Sequence, residues 1–311
     1  MAGVELGVFL PISGRAASAE VLTEAARQAE RLGFDAVWSA DRVVTPARID
    51  TAYPYSENQQ FIVPPDLPFL DSLTCLAFLA GRTERVKLGI SVLVLPYRQP
   101  LHWARVAVSL DRLSHGRFIL GVGVGWMEEE FAALGAPFKA RGTVSDEQLE
   151  IVARLWSEER ISFQGSHHRF DAVAFAPKPE GGHLATWVGG EARAARRRAG
   201  RYGDAWFPYY VDITPDELCA RFEEARTFAV EAGREPERLQ LCVCRPIELT
   251  SEAQPQDPRR LRGTPEQLAE ALLAYRDRGV HHLALQFMVG RWPERVEQIE
   301  RFGSEVISAL S

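Results

Sequence analysis

The sequence predicts an α/β fold, namely a (β/α)8 TIM barrel with insertions after strands 2 and 4 and a small hairpin before strand 5. Short apolar segments typical of buried strands alternate with segments whose apolar residues recur at helical spacing. The alternation gives eight strands and eight helices over 311 residues. Parallel strands joined by right-handed helical crossovers close into a barrel at that number, and an open doubly wound sheet is the alternative. We expect residues 1–311 to form a single domain.

Each element is placed by its own pattern, strands on short branched or aromatic runs and helices on apolar residues repeating at helical spacing. The expected strands span residues 4–10, 35–40, 87–95, 117–124, 186–190, 204–208, 239–249 and 281–287. The expected helices span residues 19–33, 70–81, 101–114, 144–156, 264–279 and 293–309, with two more beginning near residue 191 and at residue 214. Gly33 and Gly279 are typical helix stops, and Thr214 and Thr264, each followed by proline, are typical helix starts.

Three longer segments interrupt the alternation, at residues 43–69, 126–142 and 157–182. The first is rich in Pro, Tyr and Asn and directly follows strand 2, so we expect it at the catalytic face, lying over the site. The third contains ISFQGSHHRF, two short strands around a glycine-containing turn, which predicts a hairpin on the outside of the barrel.

Composition excludes several classes of function. The net charge of −6 provides no basic surface for nucleic acid. The N-terminal segment has no basic region and carries Glu5 in its apolar run, so no signal peptide is expected, and no apolar stretch is long enough to cross a membrane. The four cysteines have neither metal spacing nor a disulfide pattern, so we expect reduced core residues, no metal site and a cytoplasmic protein.

The motif GVGVG, at the end of strand 4, places Gly121, Gly123 and Gly125 on one side of the strand. It is not a dinucleotide fingerprint, because that fingerprint requires G-x-G-x-x-G in a turn that opens a helix. Two interpretations stay open: a crowded barrel interior that needs small residues, or a flat ring packed across the upper glycines. Gly89 and Ser91 in strand 3 raise the same question.

Strand 5 ends at Gly189-Gly190, and a helix follows at once. Two glycines in that turn expose backbone N–H groups at the positive end of a helix, which favours phosphate binding over an ordinary tight turn. Asp41 and Arg42 end strand 2, where a barrel places catalytic groups. They are expected either to orient a cofactor ring or exchange a proton, or to form a surface ion pair.

Several of these segments together resemble the luciferase-like monooxygenase superfamily: WSAD at strand 2, TERVKLGISVLVLP, LDRLSHGRFILGVGVGWMEEEFAALG, and WVGG followed by RYGDAW. They are most similar to the branch described as probable F420-dependent oxidoreductases, over residues 4 to about 307. The resemblance implies a (β/α)8 barrel that binds reduced FMN or the deazaflavin coenzyme F420 at the C-terminal mouth.

The resemblance also implies which residues hold the cofactor. A bulge in strand 3, in some relatives with a non-prolyl cis peptide, backs the ring and falls here on Ser91-Val92. The phosphate site falls on Gly189, Gly190 and the amides of Glu191 and Ala192. We further expect Gly125 and Trp206 at the cofactor.

The catalytic residues are expected to be Asp41, Arg42 and Trp126. Many F420-dependent relatives carry His where Arg42 stands, and because arginine stays protonated it is a poor base. It is better suited to holding an anionic ring or a substrate carboxylate. Trp126 stands where certain relatives carry an acid. Tyr53, Arg98 and Arg291 are candidate substrate contacts.

The leading hypothesis is an oxidoreductase that transfers a hydride between coenzyme F420 and a small organic substrate. The first alternative is an FMN-dependent monooxygenase that uses reduced flavin and oxygen. The second is a barrel that binds flavin without catalysis, which a cleft blocked by Trp126 or Trp206 would favour. Relatives imply a homodimer and a flavin or F420 reductase that supplies reduced cofactor.

Overall fold

The computed structural model describes residues 3–56, 58–61, 63–209, 213–288 and 292–310. Within these ranges the strands are β1 Glu5–Phe9, β2 Ala36–Ser39, β3 Lys87–Val94, β4 Phe118–Gly123, β5 Arg160–Gln164, β6 Arg169–Ala174, β7 Thr186–Gly189, β8 Ala205–Phe207, β9 Gln240–Leu249, β10 Leu261–Gly263 and β11 Val280–Phe287. The helices are α1 Ala19–Arg31, α2 Ser72–Ala80, α3 Pro100–Leu113, α4 Glu128–Ala133, α5 Arg141–Ser157, α6 Arg193–Tyr202, α7 Pro215–Glu231, α8 Pro265–Asp277, α9 Trp292–Arg301 and α10 Ser308–Leu310. A π-helical segment, Phe302–Ile307, joins the last two helices.

The predicted barrel is confirmed. Strands β1, β2, β3, β4, β7, β8, β9 and β11 pair in that order, all parallel, and β11 pairs with β1 to close the cylinder. The doubly wound alternative is therefore wrong. In the described part of the chain, no helix is long and apolar enough to span a membrane.

The insertions also lie where the sequence predicts them. The hairpin β5–β6 is antiparallel and precedes β7, the fifth barrel strand. The segment after β2 reaches the mouth of the barrel, and the segment after β4 contains α4. Helix α4 and strand β10 were not predicted, because elements of six and three residues are too short to establish a periodicity.

Aromatic side chains fill the interior of the barrel. Trp38 contacts Trp187 and Phe207, with ring centroids 5.2 and 4.8 Å apart. A Cβ atom added at Gly89 or at Gly7 would overlap the Trp38 ring. The small residue at position 89 is therefore explained by barrel packing, since the tryptophan occupies the volume that a side chain would need.

A polar network lies at the N-terminal end of the barrel, where β1, β3 and β11 begin. The Trp38 Nε1–H donates to His282 Nε2 at 3.1 Å, so Nδ1 carries the imidazole proton and faces Glu5 Oε2 at 3.4 Å. Lys87 Nζ pairs with Glu5 at 2.6 Å. The hydrogen bond from His282, with further help from Lys87, lowers the pKa of Glu5 to about 2, although partial burial opposes that shift.

This network predicts a loss of stability in acid. Because the folded state lowers the pKa of Glu5, its contribution is present above the unfolded value near 4.5 and is lost as the pH falls towards about 2. The difference in unfolding free energy between the wild type and Glu5→Gln should therefore shrink as the pH falls through this window, as urea titrations can measure. Glu24→Gln, on the exposed face of α1, is the matched control. A difference independent of pH would contradict this account.

Candidate active site

A cavity of about 760 Å³ opens at the C-terminal end of the barrel strands, a size typical of small-molecule and cofactor sites. The structure brings most of the predicted site residues to its wall: Asp41, Arg42, Tyr53, Ser91, Val92, Gly125, Trp126, Gly189, Gly190, Glu191 and Ala192. Arg98 and Trp206 do not line it. Arg291 lies outside the described residues.

The wall formed by β3, β4 and β7 is organised around Val92. The Ser91-Val92 peptide is cis, and the β3–β4 register shifts between Ile90 and Leu93, so the predicted bulge and cis peptide are confirmed. A Cβ atom at Gly123 would overlap Val92 Cγ2, and one at Gly189 would lie 2.9 Å from Val92 Cγ1. At Gly121 it would overlap the Ile90 carbonyl oxygen. The lower glycines of GVGVG therefore make room for the bulged strand.

An aromatic cap covers the cavity from the side of the first insertion. Trp126 packs against Tyr53 and Phe61, with ring centroids 4.9 and 5.4 Å away, and these two rings contact each other at 5.2 Å. Tyr55, from the same insertion, packs on Tyr209 beyond the end of β8, with centroids 5.0 Å apart. The expectation that residues 43–69 lie over the site holds for these side chains, and Trp126 leaves the cavity open.

Asp41 is a buried structural acceptor in this structure. Its side chain is 1% exposed and accepts hydrogen bonds from the Val94 amide at 2.9 Å and from both Nη atoms of Arg98 at 2.7 and 2.8 Å. Arg98, expected at the substrate, thus holds Asp41 and the end of β3 together. Both Asp41 oxygens accept hydrogen bonds from the protein, so the side chain links β2 to the end of β3.

Arg42 pairs with Glu130 of α4 rather than with its sequence neighbour. Its Nη1 lies 2.6 Å from Glu130 Oε2, and the guanidinium lies 4.8 Å from the centre of the Phe61 ring. Glu130 also accepts hydrogen bonds from the amides of Val43 and Val44 and from the Tyr97 hydroxyl. The expected surface ion pair between Asp41 and Arg42 is therefore wrong, because Asp41 pairs with Arg98 and Arg42 pairs with Glu130.

The turn after β7 has the geometry of an anion site. Gly190 has a φ of +104°, which favours glycine, and α6 begins at Arg193 with its first turn at the cavity. Trp206 supports this turn from behind, where it is fully buried and its Nε1–H donates to the Gly190 carbonyl at 2.9 Å. It cannot contact a ring in the cavity, because its neighbours Ala205 and Phe207 are the β8 residues that face the barrel interior.

Cationic side chains at this end of the cavity were missed by the sequence analysis. Lys139 and Arg141 line it together with Arg198, whose Nε bonds Asp146 at 2.7 Å. Arg141 Nη1 donates to the Phe138 carbonyl, but its buried Nε has no hydrogen-bond partner among the described residues. The signal was the run PFKARG at the start of α5, and only the fold shows that this run lies close to the β7–α6 turn.

The side of the cavity next to β8 carries tyrosine hydroxyl groups and the carboxyl group of Glu191, whose backbone belongs to the turn after β7. Glu191 Oε1 accepts a hydrogen bond from the Tyr209 amide at 2.9 Å, and the Tyr209 hydroxyl donates to Gln286 at 2.9 Å. Burial raises the pKa of Glu191 to about 7 and that of Tyr53 to about 12, and it raises the pKa values of Tyr55 and Tyr209 further.

A cofactor-sized cavity at the C-terminal mouth of a barrel, with a glycine turn suited to an anion and an aromatic cap, is typical of a cofactor-dependent enzyme. The chain belongs to the luciferase-like monooxygenase family, whose model matches residues 4–257.

Two relatives illustrate the similarity in sequence. An uncharacterized protein of Mycobacterium tuberculosis is 33% identical over 211 residues, which cover 67% of this chain and 71% of that protein. The F420-dependent hydroxymycolic acid dehydrogenase of the same organism is 30% identical over 236 residues, which cover 75% of this chain and 60% of that enzyme.

Two solved structures share the fold. The monooxygenase RslO1 from Streptomyces bottropensis has a TM-score of 0.78 and 22% identity, covering 99% of this chain and 100% of that one. An F420-dependent secondary alcohol dehydrogenase in complex with an F420-acetone adduct has the same TM-score and 17% identity, and covers 100% of both chains. At these identities the likeness concerns the fold alone.

Proposed function

We propose that the protein is an oxidoreductase that transfers a hydride between coenzyme F420 and a small organic substrate. The observation that carries the proposal is the cationic end of the cavity. Arg141 presents a buried Nε without a partner in the described chain, and Lys139 lies beside it in the lining without an ion pair there. The first turn of α6 adds its positive end.

These groups fit the anionic side chain of F420, which carries a phosphodiester and carboxylates, whereas FMN ends in a single phosphate. Gly189, Gly190 and the amides of Glu191 and Ala192 would hold the phosphate, with Arg141 and Lys139 on the acidic groups beyond it. Ser91, Val92, Gly125 and Trp126 would contact the ring. The F420-dependent relative in M. tuberculosis supports the same choice. When bound, reduced F420 supplies a hydride.

The chain itself provides binding and a dry environment. Tyr53, Phe61 and Trp126 cover the cavity with aromatic surface that excludes water from a reacting pair. Arg42 stays protonated and is held by Glu130, so it contributes a fixed positive charge at the cap rather than a base.

Equilibrium binding of the two cofactors to the purified protein tests the proposal. We expect F420 to bind at micromolar concentration and to change its fluorescence on binding, and FMN not to bind. Binding of FMN with oxygen uptake by the reduced flavin would instead establish the monooxygenase alternative. Binding of either cofactor without turnover of any carbonyl or alcohol would favour the non-catalytic barrel.

Arg141→Ala should weaken F420 binding roughly 10–100-fold, because a hydrogen bond to a charged group is worth about 1.5–3 kcal/mol and each 1.4 kcal/mol is about tenfold. The dissociation constant from a fluorescence titration measures the effect, which should shrink with added salt. Arg154→Ala is the matched control, since Arg154 lies on the same helix in an exposed pair with Glu158. Equal affinities in the wild type and Arg141→Ala would place the cofactor's anionic groups elsewhere.

A further inference from the structure

We propose that Glu191 is the acid that protonates the substrate oxygen, and that the substrate is an apolar ketone or aldehyde reduced to its alcohol. This rests on the proposed hydride transfer and assigns the proton that such a transfer requires. The carboxyl group, the tyrosines around it and the cap form one subsite on the β8 side of the cavity.

Reduction of a carbonyl group places a hydride on carbon and needs a proton on oxygen. Among the described residues that line the cavity, the carboxyl groups are those of Asp41 and Glu191. The side chain of Asp41 is 1% exposed and accepts three hydrogen bonds from Arg98 and Val94, so both of its oxygens are already engaged by the protein. The arginines in the lining hold their protons at neutral pH and are poor acids. Glu191 is left as the carboxyl group available to a substrate.

The surroundings of Glu191 suit a general acid. Its carboxyl group accepts hydrogen bonds from backbone amides, that of Tyr209 at 2.9 Å and its own, and it makes no ion pair with any residue that the structure describes. These backbone contacts orient the carboxyl group without engaging another side chain. Burial raises the pKa of Glu191 to about 7, so that both protonation states are populated at neutral pH. A pKa near the working pH is the most effective for proton transfer.

The same surroundings define the substrate. Glu191 bonds Tyr209 beyond the end of β8, whereas Lys139 lies just before α5 and Arg141 is the first residue of that helix. The wall next to Glu191 is formed by Tyr55 and Tyr209, whose rings pack together, and by the buried Cys244. An uncharged molecule with apolar or aromatic substituents fits this wall, and a second carboxylate beside Glu191 would be repelled.

The step balances. The carbonyl carbon accepts the hydride that reduced F420 supplies, and the carbonyl π electrons form an O–H bond with the proton of Glu191. The products are the alcohol and the Glu191 carboxylate, which takes a proton back from solvent. The oxidised cofactor releases one proton to solvent, so the sum is one carbonyl compound and one reduced cofactor converted to one alcohol and one oxidised cofactor.

The first test needs no cofactor. In protein labelled with ¹³C at the glutamate carboxyl carbons, we expect one resonance to titrate near pH 7 and to be absent in Glu191→Gln. Saturating acetophenone should raise that midpoint, because only the protonated carboxyl group donates to the ketone oxygen. Ethylbenzene, which lacks the carbonyl group, should leave the titration midpoint unchanged. An unchanged midpoint with bound acetophenone would overturn the proposal, and so would a titration near pH 4.

The second test uses the loaded enzyme. Glu191→Gln keeps an oxygen for the Tyr209 amide, so it should bind F420 with unchanged affinity while kcat for ketone reduction falls roughly 10²–10⁴-fold. In Glu191→Gln, the limb near pH 7 in the pH profile of kcat should disappear. The control variant Glu231→Gln, which changes an exposed residue at the end of α7, should behave as the wild type. Full activity of Glu191→Gln refutes its role as the acid. Failure of the wild type to bind F420 refutes the proposed function instead, and the acetophenone titration then decides the role of Glu191 alone.

Discussion

Glu130→Ala is expected to destabilise the protein by about 3–5 kcal/mol, the cost typical of removing one partner of a buried ion pair. The Glu130 side chain is 2% exposed and that of Arg42 is 10% exposed, so the substitution leaves an uncompensated charge inside the cap. It also removes the acceptor of two backbone amides and of the Tyr97 hydroxyl. The loss is large because four donors depend on one carboxylate.

Urea unfolding of the purified variants measures this prediction. Glu128→Ala is the matched control, two positions earlier on α4 and exposed, and should change the unfolding free energy by less than about 0.5 kcal/mol. Limited proteolysis should cut the Glu130→Ala variant faster within residues 43–56, since Val43 and Val44 lose their anchor. A loss below about 1 kcal/mol would mean that Arg42 finds another partner or reaches water.

The barrel could be predicted because its signals are local. Apolar periodicity, helix starts such as Thr264 and stops such as Gly33 each act within a few residues, and the repetition of strand and helix then leaves few topologies. The structure gives Thr264 a capping box with Gln267, and Gly33 a φ of +87°. Local and global preferences agree in these elements, so the sequence alone locates them.

The site could be predicted only in part, because its contacts join distant residues. The strand ends were located, since parallel strands of a barrel meet at one mouth. The partners of Asp41 and Arg42 were not predicted, because Arg98 and Glu130 lie 57 and 88 positions away along the chain. Successive residues of an extended segment face opposite sides, so these two neighbours bind different elements. Arg141 and Glu191 were missed as side chains for the same reason.

The glycines of GVGVG show how a structure decides between two interpretations that the sequence leaves open. A flat ring and a neighbouring strand both require the absence of a side chain. The glycines alone therefore do not tell which of the two lies against them. In the structure the neighbour is β3, whose Val92 side chain and Ile90 carbonyl occupy the space above Gly123 and Gly121. The glycines of β4 are therefore explained by the bulge in β3, the strand that packs beside them.

Gly123→Ala should therefore destabilise the protein without its cofactor by about 1–3 kcal/mol, the cost typical of overpacking a core. Val92→Ala should partly rescue it, because the new methyl group would overlap Val92 Cγ2, which that change removes. Gly121→Ala is the contrasting variant, since its methyl group would overlap backbone at Ile90, which no side-chain change removes. Urea unfolding of the single and double variants gives the coupling energy directly.

The coupling between positions 92 and 123 separates the two interpretations. If the glycine accommodates Val92, the double variant is more stable than the sum of the single losses predicts, by about 1 kcal/mol or more. If the glycine serves a flat ring instead, Gly123→Ala leaves the stability of the cofactor-free protein nearly unchanged and lowers only cofactor affinity. Additive losses at positions 92 and 123 would contradict the packing account, because residues that share one volume cannot act independently.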